Sequence, residues 1–178
     1  MISIRASMCA ALLAVSACTT SLPISDGGGT CALGATYTYG DVGGLVAMAE
    51  TTTLSPERTW KLSRSGAGGA TTECTQTLAT CGGADPIDAG DVAAALEHAD
   101  VVAAFALATP PLYGTDPRPV DGTVFQLRRA DGRGFELGGA CGGASGCVVP
   151  PAGVVALRDL LTQLRTQEVA KTGCEALR

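Results

Sequence analysis

Eight cysteines, one histidine and no C-x-x-C pair set the tightest limit on how this chain folds. The cysteines stand at positions 9, 18, 31, 74, 81, 141, 147 and 174. Structural zinc sites draw on Cys and His pairs at shorter spacing than the six and five residues that separate the close pairs here. Thioredoxin-like redox chemistry needs C-x-x-C as well. The pattern suits disulfides, which form outside the reducing cytoplasm. The N-terminus agrees with export: Arg5 precedes an apolar run from Ala6 to Val15, and the small residues Ser16 and Ala17 follow. A positive start, a short apolar stretch and a small-residue end make a cleavable signal peptide. At about ten residues the run is too short to span a bilayer.

The stretch Val15-Ser16-Ala17-Cys18 resembles the lipobox of bacterial lipoproteins. That resemblance implies cleavage before Cys18, a diacylglycerol on its sulfur, and a membrane anchor of several acyl chains. It places the protein in the cell envelope. Thr19, where an Asp would favour retention, implies the outer membrane if the host is Gram-negative. The chain then divides into a signal peptide (1–17), a Thr, Ser, Pro and Gly-rich tether (18–30) and a single domain (31–178). Cys9 leaves with the signal peptide and Cys18 is acylated, so Cys31, Cys74, Cys81, Cys141, Cys147 and Cys174 remain for three disulfides. Short loops close at little entropic cost, which pairs Cys74 with Cys81 and Cys141 with Cys147. Cys31 and Cys174 then join the two ends of the domain.

The 12 Lys and Arg residues, less Arg5, face 17 Asp and Glu residues, giving the mature chain a net charge of −6. A nucleic-acid partner is excluded, because phosphate neutralisation needs a basic surface. Arg128, Arg129 and Arg133 read as a solvated hairpin end.

Three segments alternate as strands: 36–39, 45–54 and a returning strand around Trp60 and Leu62, after a Ser55-Pro56-Glu57-Arg58 turn. The Gly-rich run at 65–70 lacks the spacing of a phosphate-binding loop. Asp88 is an N-cap for a helix whose apolar face is Val92, Ala95, Leu96, Ala99 and Ala103. This helix either breaks near Asp100 or runs on to Leu107, before Pro110-Pro111. Residues 123–129 and 133–137 form a hairpin. A two-residue turn would split its apolar residues between faces. A three-residue loop (Ala130-Asp131-Gly132, with Gly132 left-handed) pairs Leu127 with Phe135 and Phe125 with Leu137, and is the expected register. After Pro150-Pro151, with Pro151 suited to the first helical position, Val154, Leu157, Leu160, Leu161 and Leu164 make an apolar stripe. Arg158, Asp159, Arg165 and Glu168 lie off it, and Lys171 and Gly173 mark its end. The order predicts an α+β domain: an antiparallel sheet of about five strands with two helices on one face, stapled by disulfides.

No catalytic, metal or cofactor motif emerges. His98 sits off the apolar stripe with no G-x-S-x-G nucleophile to serve, and reads as a partly exposed helix residue. The spacing of Asp85, Asp88 and Asp91 is not that of a calcium loop. The candidate binding loop is 113–122, with Tyr113, Asp116, Arg118 and Asp121. Two prolines either present Arg118 to a partner or, the simpler reading, let it pair with Asp116 and Asp121 to hold the loop.

A Gly43-Gly44 hairpin, a mid-chain Ala-rich helix, a strand near Phe125 and a final helix after Pro150-Pro151 resemble, in their order over residues 36–165, the emfourin-like inhibitors of thermolysin-type metalloproteases. The resemblance implies a protease partner and assigns no inhibitory residue. The expected function is that of a non-enzymatic, membrane-anchored lipoprotein that binds an envelope protein. The alternatives are an emfourin-like protease inhibitor and an envelope hydrolase with an unrecognised site.

Overall fold

The computed structural model describes residues 31–43, 49–65, 71–114, 123–139, 141 and 147–174. The expected signal peptide and tether with Cys18, Gly44 and residues 66–70 lie outside the described residues. So do Asp116, Arg118 and Asp121.

Among the described residues ten elements follow in chain order. The first four are strands: β1 (Tyr37–Gly43), β2 (Ala49–Leu54), β3 (Thr59–Ser65) and β4 (Thr71–Thr77). Helices α1 (Ala89–Leu96) and α2 (Ala99–Ala106) come next, then β5 (Leu112–Tyr113), β6 (Thr123–Arg129), β7 (Gly134–Leu137) and α3 (Ala152–Thr172). The strands make one sheet in the order β4-β3-β2-β1-β6-β7-β5. The α+β class holds, but the expected five antiparallel strands and two helices become a seven-stranded mixed sheet and three helices. The mixed character comes from β5, which pairs parallel to β7.

The added strand, and the break in the mid-chain helix that is one of its two expected forms, have simple causes. Strand β4 carries Thr71, Thr72, Thr75 and Thr77, which are β-branched and suit a pleated backbone, but it lacks an apolar face to announce it. The mid-chain helix breaks because His98 takes an extended backbone (φ −57°, ψ 136°) and caps α2, its Nδ1 accepting from the Asp100 N–H at 3.3 Å. Asp88 caps α1 as expected, in a reciprocal capping box with Asp91.

The alternation of β1, β2 and β3, with the apolar faces of β6 and β7, builds the core. Tyr37, Tyr39, Leu54, Trp60, Leu62, Phe125, Leu127, Phe135 and Leu137 are all buried on the helix side. Thr38, Thr53, Lys61 and Thr75 run in register across the opposite, polar side. The β6–β7 hairpin has the predicted register, Phe125 with Leu137 and Leu127 with Phe135, and Gly132 is left-handed at φ 84°.

Helix α3 ties the layers together. Its 21 residues span about 31 Å at 1.5 Å per residue. Seven strands about 4.8 Å apart measure roughly 29 Å between the edges, so the helix reaches across the whole sheet. At its start Val148 bridges to Gly114 beside β5; at its end Cys174 is disulfide-bonded to Cys74 of β4. Val154, Leu157, Leu161 and Leu164 are fully buried, while Leu160 is half-buried. Pro151 is the N-cap and not the first helical residue, and it supplies no side-chain cap. Asp100 of α2 compensates, its Oδ2 accepting from the Gly153 N–H at 2.9 Å. Glu168 was expected off the stripe but is fully buried: it continues the 154, 157, 161, 164 spacing by one more step. Its Oε1 accepts from Lys171 Nζ at 2.7 Å and from Gln167 Nε2 at 3.0 Å, and its Oε2 has no partner.

The disulfide scheme is corrected in two of its three pairs. Cys141 pairs with Cys147 as expected, but Cys31 pairs with Cys81 and Cys74 with Cys174. The reason is the missed strand. Cys74 sits within β4, opposite Leu62, and the extended chain carries Cys81 away at about 3.3 Å per residue. Cys74 is left beside the end of α3, and Cys81 beside the start of the domain at Cys31.

Candidate interaction surface

The two edges of the sheet are treated differently by the sequence. At one edge β5 is only two residues long, and the chain folds back over it: the Gly114 N–H donates to the Val148 carbonyl at 2.8 Å, next to the Cys141–Cys147 disulfide. Gly114 is needed there. It sits at φ 89°, and a side chain would run into the Gly138-Gly139 backbone. A short strand under a covering segment is one way proteins blunt an edge.

At the other edge β4 is a regular seven-residue strand whose only neighbour among the described residues is β3. Its pairing runs unbroken from Thr59–Thr77 to Ser65–Thr71, with no bulge. The direction of its peptide groups follows from the turn that precedes β3. The Leu78 N–H donates to the Arg58 carbonyl at 2.9 Å, and hydrogen-bonded pairs alternate along an antiparallel ladder. Thr72, Cys74 and Gln76 therefore direct their N–H and C=O groups to β3. Thr71, Glu73, Thr75 and Thr77 direct theirs outward, away from the sheet. Those four residues are all exposed.

The strand is firmly held. The Cys74–Cys174 bridge fixes its middle to the end of α3, and Arg64 Nη1 on β3 donates to the Cys174 carbonyl at 3.3 Å. Arg64 Nε also meets Glu50 Oε2 at 2.6 Å, and Glu50 in turn contacts Arg165 of α3. On the polar face Lys61 Nζ lies 2.8 Å from Glu73 Oε1, and that contact holds the Glu73 carboxyl below the ordinary range. Glu73 is the only charge on β4, and the strand has neither proline nor lysine. Apart from Glu73 it carries none of the bulge, proline or lysine devices that blunt an edge.

A cavity of about 210 Å³ opens on the helix side between β1, β2, β6 and α3, lined by Tyr39, Asp41, Glu50, Phe125, Thr162 and Arg165 among others. Two of its polar side chains, Tyr39 and Glu50, are already engaged. Tyr39 Oη accepts from Trp60 Nε1 at 3.3 Å, and burial pushes its phenol well above the usual range, so it stays protonated. Glu50 is held between Arg64 and Arg165.

Of the candidate loop residues, only Tyr113 is among the described residues. Tyr113, expected to open an exposed loop, is buried in β5 with its ring 6.4 Å from that of Phe135. His98 is partly exposed, as expected, and its ring packs over Gly153, where a side chain would collide with it. Sequence reasoning missed the outward residues of β4; the density of threonine over 71–77 was the available signal. Among the described residues no group of His, Cys, Asp and Glu is arranged to hold a metal ion, and no helix is long and apolar enough to cross a membrane. No protein-family model, curated protein or solved structure matches this chain at a significant level.

Proposed function

We propose that this is an extracytoplasmic lipoprotein, anchored through acylated Cys18, whose disulfide-stapled domain is a non-enzymatic module that binds protein through the edge of β4. Export is supported by the lipobox-like Val15-Ser16-Ala17-Cys18 and by the use of all six downstream cysteines in pairs at bonding distance. Binding rests on one observation above the others: β4 offers a straight row of outward backbone donors and acceptors while the opposite edge is covered. An extended segment added to such an edge gains main-chain hydrogen bonds for affinity and side-chain contacts for specificity. The tether would keep this edge within reach of envelope partners.

The anchor is tested by labelling growing cells with radioactive palmitate and fractionating them. Wild-type protein should carry label and sediment with membranes, and Cys18→Ala should lose both. Equal label on the two would refute acylation at Cys18. Binding is tested with a photo-crosslinking residue placed at Thr75 or, as a control, at the exposed Ala94 of α1. Adducts to protein should form from position 75 and not from position 94.

A further inference from the structure

From the geometry of β4 we infer that its edge pairs with β4 of a second copy of this chain, antiparallel and centred on Cys74, joining two sheets into one. The inference rests on the reading of β4 as the binding surface and names its partner.

Three observations select a second copy. The first is self-complementarity. Only outward-directed residues can exchange hydrogen bonds across the new interface, and these are Thr71, Glu73, Thr75 and Thr77. A two-fold axis at Cys74 sets Thr71 opposite Thr77 of the second copy and Glu73 opposite its Thr75. This register pairs every outward group of the strand. Sliding by two residues in one direction would set Glu73 against Glu73 and shorten the overlap. Like charges directly opposite are unfavourable, and a slide the other way, Thr75 against Thr75, also shortens the overlap, so the centred register is favoured.

The second observation is charge. Glu73 is the only ionisable side chain on the strand, and Lys61 of its own chain neutralises it at 2.8 Å. Two copies therefore meet at this edge without opposing charge, although each chain is net negative. Threonine opposite threonine is a favourable cross-strand pair.

The third is the contrast between edges. A chain with both edges open could add copies without end. Here β5 is closed by Val148, so pairing through β4 stops at two. One strand pair buries little area, which sets the strength: interfaces below about 1,200 Å² belong to weak or transient complexes, so dissociation on the order of micromolar is expected.

The test uses the full chain, purified in detergent. Sedimentation equilibrium should show a monomer–dimer equilibrium, and Thr75→Pro should weaken it at least tenfold. Proline is tolerated at this position because the lost N–H points outward and serves no bond to β3. The circular dichroism and melting temperature of Thr75→Pro should match wild type. Amide exchange on unaltered protein gives a readout that needs no variant. From low to high concentration, the amides of Glu73, Thr75 and Thr77 should gain protection, while those of Cys74 and Gln76 should already be protected. A wild-type chain that stays monomeric at about 200 μM would overturn self-pairing, as would a dimer unaffected by Thr75→Pro. If such a monomer still crosslinks from position 75 to another envelope protein, the edge remains the binding surface and only its named partner is wrong. If nothing crosslinks from position 75, both readings fail.

Discussion

Removing the Cys74–Cys174 bridge should destabilise the domain more than removing either of the others. The bridge closes a loop of 100 residues, whereas Cys141–Cys147 closes one of 6. In the chain-entropy model a loop of that longer size restricts the unfolded chain by about 4.7 kcal/mol, against roughly 2.2 for the shorter one. The Cys31–Cys81 bridge interleaves with it but offers no shortcut between residues 74 and 174, so the full loop counts. The native state adds to the effect. Cys174 is buried at the end of α3, and the Arg64 bond to its carbonyl depends on that end staying docked. The double variant Cys74→Ala/Cys174→Ala should therefore lose about 2.5 kcal/mol more stability than Cys141→Ala/Cys147→Ala. Urea unfolding without reductant, followed by circular dichroism, measures both from their midpoints and slopes. Equal losses would show that the bridge does not close the loop described here. A smaller loss for the 74/174 pair would refute the crossing of α3 from edge to edge.

Other predictions concern the packing that α3 depends on. Gly153→Ala should destabilise by about 1–2 kcal/mol, although alanine normally favours a helix, because its methyl would meet the His98 ring. In a His98→Ala background the same change should become neutral or stabilising, and a double-mutant cycle by thermal melting measures the reversal. Leu157→Ala, Leu161→Ala and Leu164→Ala should each cost roughly 2–5 kcal/mol, since all three are fully buried; losses under half a kcal/mol at all three positions would mean α3 is not docked. Asp131 gives a pH signature: the hydrogen bond from Arg129 leads the effects that bring its carboxyl down to about 2. A depressed folded value means its contribution is present above about pH 4 and is lost as pH falls through about 2. The stability difference between wild type and Asp131→Asn should therefore shrink from pH 5 to pH 2, and a constant difference would count against the Arg129 contact.

How far the sequence could be read depended on whether an element carried its own pattern. The β6–β7 hairpin has one apolar face on each strand, and only one loop length joins those faces, so its register was legible to the residue. The Asp88 cap and the leucines of α3 were legible for the same kind of reason. Strand β4 was not, because an edge strand with one half-buried cysteine shows no apolar alternation. That omission led directly to the wrong cysteine pairs, since short spacing favours closure only where the chain between is free to turn. Cys74 and Cys81 flank an extended end. Glu168 was misplaced because its charge outweighed its position in the stripe. Tyr113 reads as part of a loop because of the prolines that follow it, while its partners Phe135 and Leu137 lie far along the chain.

The central claim, an exported lipoprotein with a stapled binding domain, is tested most directly by mass spectrometry of protein extracted from host membranes without reductant. The intact mass should correspond to a chain beginning at Cys18 and carrying lipid. The peptide map should link Cys31 to Cys81, Cys74 to Cys174 and Cys141 to Cys147. An unmodified Cys18 together with free thiols at those six positions would contradict the account.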